Sequence, residues 1–401
     1  MGMSLNLSVR ILEQPTTVLA TAAAAMPVGT WRRFTGTTQD GVSWPVPPNQ
    51  TLHLSTVPGG VGSILPYMNK AAWNPIAKQI NIIGKAHGED NGLTQVNYRE
   101  ASHDWEGFGH NQYTVNPSPP PTYIPPNGPG VIQASYTGGH AYDHSVVNPF
   151  NGDLYSATYG LTGTFPVRAF RRTVASPIFT DLPTSPAVQQ CGTNAVCWWK
   201  GVFTGGAGLG AQGGFVFYSR KDTNPDGGNP PAATDGSIAI FSPDTNTWVF
   251  VQNSMSPFMN NNLTSAEQNA VMAYSAVHNC AVYGGGHANT RRLWRLNSDG
   301  TKVELSEAPV DIGIHYSMFL SDPVTGNFLI IRGTGGTDMW ELDPTGAGTY
   351  TQMIGSRVPP NIFAGREMDN TYACCVELPD HGVIATIQEA SQSSIWLYKH
   401  A

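Results

Sequence analysis

The chain reads DPVTGNFLII at residues 322–331 and MWEL at residues 339–342. The first run is a turn followed by an apolar strand, because Asp-Pro opens a turn and Gly or Asn supplies the positive φ that closes it. The second run is an aromatic strand of the kind that packs well in a sheet. Together they form one unit of a repeat, so the sequence is best interpreted by searching for further copies.

Six segments of the chain share this pattern of strand, turn, strand, loop and third strand. Further turns lie at residues 74–77, 148–152, 278–279 and 379–382, and a Gly-rich run at 204–214 replaces the turn in the remaining unit. Strands of like character follow at 79–83, 153–157, 214–218, 280–283 and 383–387, and similar third strands recur at 238–241, 293–296 and 395–398. Four strands in roughly 45–70 residues predict one blade of a β-propeller.

We therefore predict an all-β fold, a β-propeller of six four-stranded antiparallel blades. Seven blades is the alternative if residues 36–60 contain a degenerate unit. The sixth unit stops at its third strand, and residues 29–35 resemble the missing outer strand. Pairing of the two ends would close the ring and remove an exposed sheet edge. The predicted domains are an N-terminal arm at residues 1–28 and the propeller at residues 29–401.

The composition fits this architecture and excludes some functions. Gly (44) and Pro (31) are frequent, and only 12% of residues are charged against a usual ~25%. The net charge is -7, whereas a protein that binds phosphates of nucleic acid is normally basic, so we expect no nucleic-acid partner. We also expect no membrane span, because no apolar run of about 18 residues occurs. The Ala-rich stretch 18–26 imitates a signal peptide, but Glu13, Gln14 and Pro15 interrupt the apolar region before it.

One unit carries a more specific signature. Its second strand ends in Tyr283-Gly284-Gly285-Gly286-His287, and its third strand reads Leu293-Trp294-Arg295-Leu296. Glycines after the second strand and an aromatic residue in the third resemble the kelch-type repeat, as in propellers of the galactose-oxidase central-domain type. This resemblance spans residues 61–401 and implies a fold. It implies little chemistry, because kelch-like propellers serve as enzymes, adhesion modules and scaffolds.

The predicted topology gathers polar side chains at one end of the channel, where second strands end and first strands begin. Arg binds a carboxylate or sulfate through a fork of donors and aromatic rings cover a sugar face, so this rim suits a sugar or an acidic ligand. The alternative for each His is a structural side chain that satisfies backbone groups in a Gly-rich loop. The predicted ligand-binding residues are His140, Tyr142, His144, Tyr159, His287, Arg291, His315 and Tyr316.

A second hypothesis is a polysaccharide lyase that cleaves an acidic, uronate-containing glycan by β-elimination. Elimination needs a cation for the carboxylate, a base for the α-proton and an acid for the leaving oxygen. The set His87, His110, Tyr155 and Arg171 resembles the His, His, Tyr, Arg order of propeller-type ulvan lyases. That resemblance implies that Arg171 binds the carboxylate and that Tyr155 acts as base and acid.

Metal and disulfide signals are weak. His140 and His144 have the i, i+4 spacing of a zinc pair on a helix, but on a strand they would lie about 13 Å apart. The polar loop 221–236 has oxygen ligands suited to Ca²⁺, with a plain solvated loop as the alternative. We therefore assign no cofactor and leave Ca²⁺ or Zn²⁺ open as a structural ion. Cys191 and Cys197 are close enough in sequence to pair, with two small buried thiols as the alternative.

We predict a surface-exposed recognition or structural protein, located in a virion or at the extracellular surface. The low charge and the Gly- and Pro-rich surface favour a phage virion component, either a decoration protein or a host-glycan-binding protein. Its expected partners are a glycan or neighbouring virion subunits. The alternating apolar residues of the N-terminal arm suggest an oligomer formed through that arm, or an arm folded across its own propeller. The alternatives are the lyase and an intracellular kelch-type scaffold.

Overall fold

The computed structural model describes residues 17–34, 36–37, 43–44, 70–84, 94–108, 143–157, 160–166, 169–174, 179–186, 188–192, 194–219, 237–252, 270–286, 291–313, 316–332, 338–359, 373–388 and 394–401. These residues form six antiparallel sheets of four strands each, and two short strand pairs outside them. The six sheets are the predicted blades.

The strands follow the predicted order along the chain. The first described elements are α1 (Val18–Ala25), β1 (Thr30–Arg33), β2 (Gly36–Thr37) and β3 (Ser43–Trp44). Blade 1 contains β4 (Ala72–Asn74), β5 (Gln79–Gly84), β6 (Thr94–Arg99) and β7 (Asp104–Phe108). The next segment contains β8 (Ser145–Val147), β9 (Leu154–Ala157), β10 (Gly160–Pro166), β11 (Ala169–Arg172), β12 (Phe179–Asp181) and β13 (Val188–Gly192). Blade 2 consists of β8, β9, β11 and β12, while β10 pairs with β13 outside it.

The remaining four blades are more regular. Blade 3 contains β14 (Asn194–Trp199), β15 (Gly214–Ser219), β16 (Ser237–Ser242) and β17 (Thr247–Gln252), and blade 4 contains β18 (Val271–Ser275), β19 (Cys280–Gly284), β20 (Leu293–Asn297) and β21 (Lys302–Glu304). Blade 5 contains β22 (Ser317–Ser321), β23 (Phe328–Arg332), β24 (Met339–Asp343) and β25 (Thr349–Gln352), and blade 6 contains β26 (Ala373–Leu378), β27 (Val383–Gln388) and β28 (Ser394–Lys399).

The first strands of the six blades surround a central axis. Each of β4, β8, β14, β18, β22 and β26 contacts the first strands of the blades on both sides, and β26 returns to β4. Hydrophobic clusters fill the space between successive blades. This arrangement confirms the prediction of a closed six-bladed propeller.

The two ends of the chain close the ring. Strand β1 pairs with β28, with Thr30 opposite Lys399 and Arg33 opposite Trp396, and completes blade 6 as its outer strand. The predicted closing strand is therefore confirmed. Just before it, α1 buries Leu19, Ala22 and Ala23 in the core between blades 1 and 6. The apolar stretch that imitates a signal peptide is thus part of the propeller core in this structure.

We call the end of the propeller that carries the turns between first and second strands the turn face. Asx turns shape three of these connections. Asn74 Oδ1 accepts from the N–H groups of Ile76 and Ala77, Asn148 Oδ1 from that of Phe150, and Asp322 Oδ1 from those of Val324 and Thr325. The Asp322 turn closes at Gly326, where φ is +77° and an added Cβ would lie 2.4 Å from Cβ of Val277. The predicted role of glycine in this turn is confirmed, since only glycine tolerates both constraints.

Among the described residues, side chains join the turns at five of the six junctions between neighbouring blades on the turn face. Asn74 of blade 1 donates to Gly152 O of blade 2, and Asn148 donates to Gln212 of blade 3. Further contacts join Asn279 to Val202 O, His278 to Asn327, and Lys78 to Asp380. Because each bond crosses from one blade to its neighbour, the turns form a connected rim.

Cys197 is a free, buried thiol, so the possible Cys191–Cys197 disulfide is wrong and the interpretation of a buried thiol is confirmed for Cys197. Cys280, Cys374 and Cys375 are likewise free and buried. In the part of the chain that the structure describes, no helix has both the length and the apolar character to cross a bilayer.

Candidate functional site

A cavity of about 290 Å³ occupies the central channel at the turn face. First strands from all six blades contribute to its wall, and the turns after them form its mouth. The site therefore lies where the propeller brings together residues that are distant in the sequence. Its polar lining includes Lys70, Lys200, Ser321, Glu377 and Asp380.

The inner end of this cavity is formed by a buried ion pair. Lys70 Nζ lies 2.5 Å from Asp143 Oδ1. The same ammonium donates to Val196 O at 2.5 Å and to Met272 O at 2.8 Å. Because Met272 belongs to blade 4 and Lys70 precedes the first strand of blade 1, the lysine spans the channel between opposite blades.

Asp143 is held as firmly as Lys70. Its Oδ2 accepts from the Met272 N–H at 3.1 Å, and its own carbonyl accepts from the Val196 N–H. Burial raises the pKa of the Asp143 carboxyl, and the Lys70 ammonium and the Met272 N–H oppose that rise. The pair thus links blades 1 to 4. Because its ammonium and carboxylate already interact with protein groups, we interpret it as structural.

A second pair of charges lies in the cavity wall with far fewer contacts. Glu377 of blade 6 accepts from the Ser321 N–H of blade 5 at 2.8 Å. Burial raises the pKa of the Glu377 carboxyl, while the Lys200 ammonium, the Ser321 N–H and the Lys70 ammonium oppose that rise. Among the residues that the structure describes, none forms a hydrogen bond or an ion pair with the Lys200 ammonium. Lys200 is therefore available to a ligand.

Aromatic residues line the cavity beside these charges. Trp73 Nε1 donates to Asp380, Trp198 Nε1 donates to Gln212 O, and the Tyr274 hydroxyl donates to Asn279. Since the polar atoms of these side chains already have partners, they offer a ligand mainly their apolar ring surfaces. The cavity combines apolar walls with one available ammonium and one carboxylate.

The predicted rim lies at the opposite end of the channel from this cavity, since first strands begin there. His140, Tyr142, Tyr159, His287 and His315 lie outside the described residues, as do His87 and His110 of the lyase hypothesis. Three rim residues are described. His144 is buried, Arg291 is exposed and pairs with Asp311 at 3.1 Å, and Tyr316 is half-buried with its N–H bonded to Gly313 O.

Tyr155 and Arg171 lie directly opposite each other on β9 and β11. Tyr155 is fully buried between blades 2 and 3, with its ring 5.0 Å from Trp198 and 5.6 Å from Phe215 between centroids. Burial raises the pKa of the Tyr155 hydroxyl to about 12, and Arg171 opposes that rise. The structure thus brings these two predicted residues together, but within the packed interior.

Sequence reasoning missed the residues that define the cavity. Lys70, Lys200 and Glu377 are isolated charges beside or within apolar strands, and no motif connects them. One signal in the sequence could have indicated the site. Glu377 is a charged residue within the apolar run Cys374-Cys375-Val376-Glu377-Leu378, in a chain in which only 12% of residues are charged. A charge in the innermost strand of a blade must face the axis or the neighbouring blade, because both surfaces of that strand are enclosed.

Among the described residues, no group of three or more His, Cys, Asp or Glu side chains has the arrangement of a metal site. The candidate ligands His140 and loop 221–236 lie outside the described residues. Structural Ca²⁺ or Zn²⁺ therefore stays an open prediction.

No family model matches the chain, and no curated protein matches it. Among solved structures, the chain is similar to one from the crystal structure of the mitotic checkpoint complex, with a TM-score of 0.41 and 10% identity over 86% of this chain and 92% of that one. It is also similar to the α-L-arabinofuranosidase Arb93A from Fusarium graminearum in complex with an iminosugar inhibitor. That similarity has a TM-score of 0.46 and 8% identity over 83% of this chain and 93% of that one. Similarities at these identities concern the fold alone.

Proposed function

We propose that this propeller is a recognition protein that binds one polar sugar residue of a glycan in the turn-face cavity. The observation that carries the proposal is the Lys200 ammonium, which makes no hydrogen bond with a described residue and lies in the same cavity as the Glu377 carboxylate. Sugar hydroxyls both donate and accept hydrogen bonds, so they match an ammonium and a carboxylate placed in one wall. Trp73, Trp198 and Tyr274 supply apolar surface for the carbon face of the ring.

The size of the cavity supports a compact ligand. Sites for small molecules usually occupy about 300–1,000 Å³. At about 290 Å³, this cavity lies at the lower end of that range, which fits a single sugar residue better than a stretch of polymer. The remainder of a glycan would extend over the turn face.

A glycan array tests the proposal. Wild-type protein is expected to bind a defined set of glycans, and Lys200→Met is expected to weaken that binding by about 10-fold or more, as for loss of a charge-assisted hydrogen bond. The matched control is Lys302→Met, which removes a lysine from the outer strand β21, away from the cavity. Equal binding by Lys200→Met and wild type would contradict the proposal, as would the absence of any bound glycan.

We also propose the finer assignments of a kelch-type repeat and a phage virion location. The first is supported by the glycines after β19, where an added Cβ at Gly285 would lie 2.4 Å from Ile312 O, and by Trp294 in β20. The second rests on composition alone. Mass spectrometry of purified phage particles tests the location, and absence of the protein from every particle fraction would contradict it.

The lyase hypothesis stays a prediction with less support from the geometry. A tyrosine that is buried in the core and has a raised pKa is a poor base near neutral pH. The lyase would produce absorbance near 235 nm from uronate polysaccharides, and Tyr155→Phe would abolish that signal.

A further inference from the structure

The mouth of the cavity is formed by residues without polar side chains, one from each blade. They lie near the start of the connection between the first and second strands and are Pro75, Pro149, Gly201, Ala276, Pro323 and Pro379. All of them except Gly201 line the cavity. We call this set the mouth collar. Because proline also lacks a backbone N–H, four of its six members can donate no hydrogen bond.

The apolar surface continues outwards from the mouth collar. The next residue along the chain is apolar and exposed in five blades, and we call this set the turn-face ring. Its members are Ile76, Phe150, Val202, Val277 and Val324, which are 48–69% exposed. Val277 also lines the cavity, so the collar and the ring form one surface. In blade 6 the same position is Asp380, whose carboxylate already accepts from Trp73 Nε1 and pairs with Lys78.

Several polar groups near the ring are bonded within the protein. Asn148 donates to Gln212, and Asn279 donates to the carbonyl of Val202. A second sugar placed over the mouth would therefore cover its hydroxyl groups with apolar side chains and prolines. Burial of a hydroxyl without a hydrogen-bond partner is unfavourable. The mouth thus suits an apolar group better than a further sugar.

The charges of the cavity lie on the inner side of the collar. The first strands run towards the turn face, and Lys200 immediately precedes Gly201, while Glu377 comes two residues before Pro379. Both residues line the cavity. A ligand that occupies the cavity and its mouth therefore meets an ammonium and a carboxylate inside and apolar atoms at the exit. This order matches an amphiphile with a polar head and an apolar chain.

We propose that the sugar bound in the cavity carries an alkyl or acyl chain, which passes through the mouth collar and lies over the turn-face ring. The ligand then belongs to the chemical class of glycolipids. Its hydroxyl groups interact with Lys200 and Glu377, and its chain covers apolar side chains that are otherwise exposed to water. This inference rests on the proposed function, and it specifies what the bound sugar is attached to.

Isothermal titration calorimetry with pairs of simple glycosides tests the inference. The probes are the octyl and methyl glycosides of glucose, galactose and mannose, used below the critical micelle concentration. At least one octyl glycoside is expected to bind about 10-fold or more tightly than its methyl partner, because burial of a single methylene contributes about fourfold. Equal affinities within every pair would overturn the inference, as would no binding by any octyl glycoside. The glycan array decides the proposed function separately.

A probe without a sugar shows whether both parts of the ligand are recognised. Tetraethylene glycol monooctyl ether has the same chain and a different head, so it is expected to bind at least 10-fold more weakly than the best octyl glycoside. Equal binding of the two would overturn the assignment of a glycolipid, because the chain alone would then account for the affinity.

Variants of the ring locate the chain. The double variant Val202→Ser/Val324→Ser is expected to reduce the advantage of the octyl over the methyl glycoside at least threefold, because two apolar contacts are lost. The matched control is Ile354→Ser, which changes a residue that is 76% exposed and follows the outer strand β25, outside the ring. It is expected to retain the full advantage. The same advantage in the double variant and in wild type would overturn the placement of the chain.

Discussion

Two lysines of this propeller reach the same channel and differ in their surroundings. Lys70 contacts the Asp143 carboxylate and donates to the carbonyls of Val196 and Met272, so its ammonium already has partners within the protein. Lys200 interacts with Glu377 at longer range and has no hydrogen-bond partner among the described residues. The number of fixed partners, and not the residue type, therefore separates a structural charge from one available to a ligand.

The largest effect is expected when the Lys70 ammonium is removed. Lys70→Met leaves the Asp143 carboxylate buried without its counter-ion, and we expect it to lower the free energy of unfolding by about 3–5 kcal/mol. Urea denaturation followed by tryptophan fluorescence measures the loss.

The double variant Lys70→Met/Asp143→Leu keeps the test interpretable if the single variant fails to fold. It removes both charges, so it is expected to be more stable than Lys70→Met alone. A double variant that loses as much stability as the two single variants combined would show that the pair is not coupled.

Glu100 provides an intermediate case, a nearly buried carboxylate with two side-chain partners. Burial raises its pKa, but the hydrogen bonds from His381 and Thr17 outweigh burial and hold the pKa below its usual value. The stability gained from this lowered pKa is present above about pH 4.5 and is lost as the pH falls through the folded-state value.

We therefore expect Glu100→Gln to cost about 1–2 kcal/mol at pH 7 and progressively less below pH 4.5. Unfolding by urea at several pH values measures the difference from wild type. The control is Glu304→Gln, an exposed partner of Arg292, which is expected to cost less than about 0.5 kcal/mol. A loss for Glu100→Gln that grows towards acid pH would contradict the assignment.

The smallest effect is expected at Lys200. Lys200→Met removes an ammonium that makes no hydrogen bond with a described residue but favours the charge of the Glu377 carboxylate, so the free energy of unfolding should fall by at most about 1 kcal/mol. The same denaturation experiment measures it. A loss comparable to that of Lys70→Met would show that Lys200 is a structural residue.

Much of the fold was predictable because local chemistry repeats in every blade. The Asp322 turn, the strand Phe328–Arg332 that follows it and the closing strand Thr30–Arg33 are each specified by a few adjacent residues. Helix α1 was not predicted, because its eight residues, VLATAAAA, lack a polar face and resemble a targeting segment. Only packing between blades 1 and 6 reveals its role.

The site was less predictable, since its residues are brought together by the whole ring. Lys70 and Glu377 are more than 300 positions apart, and no local pattern shows that both face one channel. The histidines and arginines near Gly-rich loops led to the prediction of a site at the opposite end of the propeller. Which of those side chains approach one another depends on loops whose geometry the repeat does not specify.

The difference between Lys70 and Lys200 can be measured as their chemical reactivity in one protein. Native protein is treated with formaldehyde and cyanoborohydride, and methylation at each lysine is followed by mass spectrometry of chymotryptic peptides. Lys200 is expected to react in the folded state, whereas Lys70 is expected to react only under conditions that unfold the propeller. Equal rates at the two lysines, or protection of Lys200 together with labelling of Lys70, would contradict the distinction between a structural Lys70 and an available Lys200.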